Sequence, residues 1–464
     1  MCPAAPPPAG TTAVRDVVPF AQAVKAWSVI SLQTFGGPAG QIAVMQRHLV
    51  DERRWIGQKR FLHALNYCML LPGPEAQQLA IYVGWLLNGI RGGLVAGTLF
   101  VLPGVAALLA LSAVYVRFGD TAVVTAVFAG LAPAVVAIVA QAVWRVGRRA
   151  LANRVLVGFA VAAFVALAVL AAPFPLVIAT AAATGWALQR WRPTLIPVGG
   201  GRADARDGSM PLIPDDALHH DRPTPRRAVT ILTVGLAAWF LPVAAVALAT
   251  GAGSIYTQQG LFFSGTAVVT FGGAYAVLAY VAQRAVEHHA WLSAGDMVRG
   301  LALAETTPGP LIMVVQFVAF LGAYHHPGGL NPWAAGVLAS LLTTWVTFVP
   351  CFLFILLGAP YVERLRGNRA LSAALTGITA AVVGVIANLG LYFALHTLFH
   401  RTRTVTDGPL HLQVPDLASV RPVPAVIAAV ATVLIFRWNW SLLRVLAVSA
   451  ALGLAAGLAG LPGV

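Results

Sequence analysis

Apolar residues run along this chain in blocks of about 20, the length a helix needs to cross a bilayer, and short polar or basic stretches separate them. The blocks fall at Val17–Met45, Phe61–Asn88, Gly92–Val116, Thr121–Trp144, Val155–Ala172 and Phe174–Gln189, then at Ala228–Thr250, Gln258–Gln283, Met297–Tyr324, Trp333–Gly358, Leu371–Thr397, Pro422–Phe436 and Trp440–Leu461. This pattern predicts an all-α polytopic membrane protein with about 13 transmembrane helices. The stretch Arg190–Arg227 is rich in Gly, Pro, Asp and Arg and reads as a solvated linker.

Two blocks carry a helix breaker at their centre: Leu71-Pro72-Gly73-Pro74-Glu75-Ala76-Gln77-Gln78 and Thr306-Thr307-Pro308-Gly309-Pro310. Proline removes a backbone donor and clashes with the preceding turn, so the helix stops there. Within a bilayer the freed backbone groups are tolerated where they line a cavity or a ligand site.

The breaks belong to a repeat. Phe35-Gly36-Gly37 returns as Phe271-Gly272-Gly273, Trp55 as Trp291, and Pro72-Gly73-Pro74 as Pro308-Gly309-Pro310, all displaced by 236 positions. Further on, Gly130-Leu131-Ala132-Pro133 corresponds to Gly377-Ile378-Thr379-Ala380 at a displacement of 247. An odd number of crossings between the copies predicts two inverted-topology six-helix repeats plus one linking helix. The expected organisation is a cytoplasmic tail 1–16, a first repeat 17–189, a cytoplasmic linker 190–227, a linking helix 228–250 and a second repeat 258–464.

Charge adds orientation. Lys and Arg number 30 against 16 Asp and Glu, and the basic residues cluster between apolar blocks, a pattern of membrane topology rather than nucleic-acid binding. With the N-terminus inside and the C-terminus outside, 19 basic residues fall inside and nine outside. The cluster from Arg47 to Arg60 runs against that bias and reads as an interfacial segment anchored by Trp55. Met1–Gly10 has no basic n-region before an apolar core, so no cleaved signal peptide is expected. Cys2, Cys68 and Cys351 give neither a disulfide framework nor a metal spacing. No phosphate-binding loop, Gly-x-Ser-x-Gly or His-Glu-x-x-His is present, so the chain reads as neither an ATP-driven motor nor an enzyme, without cofactor or metal.

The breaks also suggest the ligand. A helix N-terminus carries about half a positive charge and unpaired N–H donors, which suit an anion, and Pro74 and Pro310 stand where half-helices begin. Gln77 and Gln78 at the first break, and Thr306, Thr307 and Gln316 at the second, offer further donors. A tetrahedral dianion fits such a site, and a packing kink is the bland alternative. Glu75 and Glu305 lie deep in apolar blocks and are the candidates for proton coupling; capping for Glu75, and pairing with an arginine such as Arg299 for Glu305, are the alternatives. Phe35-Gly36-Gly37-Pro38 forms a further break or a close-packing element, with Gln41 one turn beyond, and Lys25 either snorkels or meets the anion.

The motifs Phe35-Gly36-Gly37-Pro38-Ala39-Gly40-Gln41-Ile42-Ala43, Leu71 to Ala80 and Thr306 to Pro310 resemble those of the chromate ion transporter family, in its long, two-halved form. The resemblance covers essentially the whole chain and implies export of chromate across the bacterial inner membrane, with chromate resistance. The second half lacks Glu-Ala-Gln-Gln after its break, so the halves are not equivalent. Sulfate, which has the same shape and charge, is the rival substrate, by import or exchange. An anion channel of the same architecture is the rival mechanism, and the sequence leaves open a homo-oligomer.

Overall fold

The computed structural model describes residues 16–35, 37–69, 71–119, 121–193, 195, 212–213, 224–271, 274–359, 369–407 and 410–461. Gly36, Gly272, Gly273 and most of the 190–227 linker lie outside the described residues. The chain is helical nearly throughout, and it forms a multi-pass membrane protein. Among the described residues, five helices are long and apolar enough to cross a membrane, and several shorter apolar ones accompany them.

Each predicted break interrupts its helix. The first apolar block divides into α1 (Phe20–Gln33) and α2 (Gly37–Gln46). The second divides into α3 (Gln58–Cys68) and α4 (Glu75–Phe118). Pro74 is the N-cap of α4 rather than its first helical residue, as the sequence suggested. Helix α4 then folds back on itself at Asn88 and Gly89, whose φ of 61° is a left-handed value that glycine adopts without strain. Its two arms lie so close that a Cβ on Gly84 would stand 2.5 Å from the Gly92 carbonyl oxygen. The first half is completed by α5 (Ala122–Ala150), α6 (Arg154–Ala168) and α7 (Phe174–Trp191).

Helix α8 (Pro225–Thr250) links the halves and exposes Leu241, Leu248 and Val234, as a lipid-facing helix does. The second half repeats the pattern: α9 (Ile255–Val269), α10 (Ala274–Gln283), α11 (Ala294–Thr306), a short 3₁₀ turn Leu311–Met313, α12 (Val314–His325), α13 (Pro332–Gly358), α14 (Arg369–Leu398), α15 (Pro422–Phe436) and α16 (Leu442–Leu458). A two-stranded antiparallel hairpin, β1 (Thr402–Asp407) and β2 (Leu410–Pro415), precedes α15 and was not expected from the apolar pattern.

The repeat holds at the level of single backbone bonds. A π-helical turn follows α2 at Arg47–Glu52 and follows α10 at Arg284–His288. Arg54 (φ 53°) and Ala290 (φ 51°) both take left-handed backbone 236 positions apart. The next N–H in each case, Trp55 to Leu49 and Trp291 to Ala285, closes the same bond at 2.8 Å. Trp55 is buried against the protein rather than exposed as a lipid anchor. It pairs instead with the linker: Ile213 donates to the Trp55 carbonyl at 3.1 Å and Gly57 to the Ile213 carbonyl at 3.3 Å.

The halves interlock. Gly130 of α5 packs against the backbone of Ser449 and Gly453 on α16, and Gly377 of α14 packs against Ala181 and Gly185 on α7. The final hairpin of each half therefore clasps a long helix of the other. Small residues make this approach possible, since helix association in lipid rests on close packing rather than on the hydrophobic effect.

Candidate anion site at the crossed helix breaks

The two Pro-Gly-Pro segments share one backbone geometry. Gly73 and Gly309 have φ of 117° and 102°, a region where an L side chain is strained. Each glycine N–H then donates to the other half of the molecule. Gly73 bonds the Thr270 carbonyl at 2.8 Å, and Gly309 bonds the Thr34 carbonyl at 2.8 Å. Thr34 and Thr270 are the residues just before Phe-Gly-Gly in the two halves. Each Pro-Gly-Pro tip is thus tied to the Phe-Gly-Gly break of the opposite repeat, and an N–H freed by the helix break is satisfied by an equally freed carbonyl.

A second exchange covers each tip. Gly104, beside Pro103 in α4, packs on the second break, where a Cβ would stand 2.7 Å from the Pro308 carbonyl oxygen. Cys351, beside Pro350 in α13, packs on the first, with its Sγ 2.9 Å from where a Gly73 Cβ would be. Pro103-Gly104 and Pro350-Cys351 are related by the displacement of 247. That signal was present in the sequence, but a proline inside an apolar helix is common enough to pass as a kink.

The side chains break the symmetry. On the first tip, Gln78 Nε2 donates to the Pro72 carbonyl at 2.6 Å and closes the turn, leaving its Oε1 without a partner. Gln77 is fully buried, and neither its amide nitrogen nor its oxygen has a hydrogen-bond partner. A buried, unsatisfied amide costs about 1–3 kcal/mol, so Gln77 is the side chain at the breaks that most favours a polar partner. Gln41 reaches across to the second tip and donates through Nε2 to the Gly309 carbonyl, with Oε1 unpartnered. The repeat replaces Gln41, Gln77 and Gln78 by Val277, Met313 and Val314.

On the second tip the threonine hydroxyls are spent within their own helix: Thr306 donates to Leu303 at 2.7 Å and Thr307 to Ala304 at 2.9 Å. Gln316 bonds the Val105 carbonyl and accepts from Thr344, tying helices together. The unpartnered amide nitrogen at the breaks is therefore that of Gln77, while Gln41 and Gln78, also from the first half, spend their donors on the backbone of the two tips.

The two carboxylates differ in setting. Glu75 is the first residue of α4, where the helix dipole favours a negative charge. Glu305 is buried near the end of α11 and accepts from the Tyr275 hydroxyl at 2.6 Å through Oε1, while Oε2 has no partner. Arg299 is not its partner; it bonds the Tyr115 hydroxyl at 2.9 Å and lies 3.9 Å from Asp296. The cation that acts on Glu305, at longer range, is Arg145 of α5. Tyr275 stands where the first half has Ala39, and this asymmetry within the repeat was the available clue to its role. Lys25 lies exposed on α1, more than two turns from Thr34, and is not brought to the breaks.

Comparison with known sequences agrees with the duplicated plan. The family described as Chromate transporter matches residues 21–186 and 257–454, one stretch in each half. The chain is 32% identical over 388 residues to the chromate transport protein of Pseudomonas aeruginosa, covering 82% of each chain. It is 29% identical over 378 residues to that of Cupriavidus metallidurans, again covering 82% of both. A probable chromate transport protein of Synechococcus elongatus is 26% identical over 412 residues, or 87% of this chain and 92% of the relative. No solved structure matches.

Proposed function

Because the chain belongs to the chromate transporter family, we propose that it is a secondary transporter exporting chromate across the cytoplasmic membrane by alternating access, and so confers chromate resistance. The observation that carries the reading is the pair of crossed bonds, Gly73 to Thr270 and Gly309 to Thr34, beside the unpartnered Gln77 amide. Chromate is a tetrahedral dianion. The Gln77 amide and the start of α4 stabilise such a charge without a buried cation. Membrane potential suffices as a drive, since each charge leaving an inside-negative cell gains about 2.3 kcal/mol per 100 mV.

The contacts at helix ends support a particular path through the bilayer. Val17 donates to Leu87, Asn88 to Val18, and Asn153 to Leu195, while Ile213 pairs with Trp55 and Ile56. The second arm of α4 and α5 are each long enough to cross. They reverse at a turn where the rings of Tyr115 and Phe128 stand 5.4 Å apart, returning the chain to the face it left. Residues 17–18, 54–57, 88–90, 153 and 195 then share one face. In this reading α1–α2 and α3 with the first arm of α4 are re-entrant hairpins that dip in from that face. The pairs α9–α10 and α11–α12 dip in from the other, where Tyr256 meets Pro327 and Arg299 meets Tyr115. Full crossings number four in each half, with α8 between them, in place of the 13 expected.

Orientation gains from this path. Arg47, Arg53, Arg54, Lys59 and Arg60 move to the inner face and Arg284 and Arg299 to the outer, so the basic count becomes 22 inside against six outside. The cluster that contradicted the positive-inside bias now obeys it. The N-terminus is cytoplasmic and the C-terminus periplasmic. Glu75, at the substrate end of α4, is the proton-coupling group of this mechanism.

The test is flux in proteoliposomes with chromate and with sulfate, varying the imposed potential and the pH gradient separately. Potential-driven chromate flux that saturates at transporter rates is expected. Sulfate flux with no competition by chromate, or channel-like currents in a bilayer recording, would overturn the assignment.

A further inference from the structure

Two carboxylates lie at the breaks, and the transport reading employs Glu75 alone. Glu305 is the penultimate residue of α11 and is only 2% exposed. It stands at the carbonyl end of its helix, where the dipole disfavours a negative charge, whereas Glu75 stands at the N–H end of α4. Its Oε1 accepts from the Tyr275 hydroxyl at 2.6 Å, and its Oε2 is buried with no hydrogen-bond partner among the described residues. A buried carboxylate with an idle oxygen is costly to hold charged and far less costly to hold as the acid.

The electrostatic surroundings of Glu305 are sparse. Helix α11 packs against α4, α5, α12, α14, α16 and the turn Leu311–Met313. From these elements and from α10, the groups that act on Glu305 are the Tyr275 hydroxyl and, at longer range, the Arg145 guanidinium of α5. Arg145 gives the ionised form a distant counter-charge, so both protonation states are within reach. The remaining charges of α11, Asp296 and Arg299, gather at its other end, where they engage Tyr115. Asp296 stands nine residues from Glu305, roughly 13 Å along the axis.

The pair also stands between the two tips. Gly73 of the first tip donates to the Thr270 carbonyl at 2.8 Å, and Thr270 precedes Tyr275 by five positions. Glu305 precedes Gly309 by four, and Gly309 is held by Thr34 and Gln41 of the first half. The first half carries Ala39 and Met69 at the places of Tyr275 and Glu305, so the pair belongs to the second half alone. A dianion at the first tip and a carboxylate at the second share one poorly screened interior, where each opposes the charge of the other. We infer that Glu305, held by Tyr275, is a second proton site, which takes up a proton as a dianion loads at the crossed breaks. The O–H bond forms at Oε2 with a proton drawn from water, and it breaks again when the anion leaves. The proposal rests on the transport reading given above, and it concerns the loading step rather than the charge moved per cycle.

Calorimetry of chromate binding to the purified protein counts the protons taken up, when it is run in two buffers of different ionisation heat at a pH where chromate is the dianion. The comparison covers the wild type, E305Q, Y275F and E75Q. E305Q should take up about one proton fewer than the wild type, whatever its affinity. Y275F should keep the count, and its half-uptake should move about one unit to higher pH, because a donor to the ionised carboxylate is lost. A structural tie between α10 and α11 would change affinity or stability in these variants and leave the proton count alone. An unchanged count in E305Q overturns the proposal, as does uptake that disappears only in E75Q. Should E305Q bind no chromate, Y275F decides, and an unmoved half-point then overturns the proposal. Gel filtration confirms that each variant remains folded. Failure of the transport reading looks different, because the wild-type protein then carries no chromate into vesicles.

Discussion

At the scale of single residues, the proposed mechanism puts its weight on three glycines and one amide. Gly73 and Gly309 hold left-handed backbone, and an added Cβ costs about 1–2 kcal/mol there before any contact is counted. Gly104→Ala acts differently, because its Cβ would meet the Pro308 carbonyl, and backbone cannot swing aside as a flexible side chain can. Gly104→Ala is expected to abolish chromate resistance at normal protein levels, while Cys351→Ala, which only shortens a side chain, retains it; the check is growth on chromate with immunoblotting. Gln77→Leu separates ligand binding from stability. Removing an unsatisfied amide should leave the melting temperature equal or higher, yet flux should fall at least tenfold. Intact flux in that variant would return Gln77 to a packing role. Tyr275→Phe strips Glu305 of its bonded partner and is expected to alter the pH profile of flux, whereas Glu75→Gln should flatten it. Pro-Gly-Pro and its glutamines were legible in the sequence because breakers in apolar runs have one physical consequence. Tyr275 was not, since a tyrosine in an apolar helix is usually core.

At the scale of elements, a hydrophobic pattern says where a helix is broken but not whether the chain continues or turns back. Phe61–Asn88 reads the same as one kinked span or as two arms of a hairpin, because both bury the same apolar residues. The difference lies in tertiary bonds, such as Ile213 to Trp55, that periodicity does not carry. The β1–β2 hairpin escaped for a related reason, as its alternation is short and polar. A cysteine at Arg54 should therefore be labelled by an impermeant maleimide from the same face as one at Arg149. A cysteine at Arg403 should be labelled from the opposite face. Labelling of the Arg54 and Arg149 positions from opposite faces would restore the longer count of crossings.

At the scale of the whole molecule, the repeat was readable from displacement alone, yet its interlocking was not. Helix α5 is clasped by the last hairpin of the second half, and α14 by that of the first, through glycines that admit backbone contact. The long helices α5 and α14 are buried chiefly by the opposite half. Gly377→Leu should lower the melting temperature of the whole protein in one transition rather than loosen one half. Two separate transitions would show that the halves fold as independent units.

The exchanged bonds of Gly73 and Gly309 also say something about ancestry. In each half the tip finds its acceptor on the other copy, so a chain of half this length, with the same backbone, leaves both groups unsatisfied. Such a chain could be completed only by a second copy of itself inserted the other way up. Duplication and fusion would then have freed the two sets of side chains to diverge, with glutamines kept on one tip and Tyr275 with Glu305 on the other, while the four backbone positions stayed bound to one another.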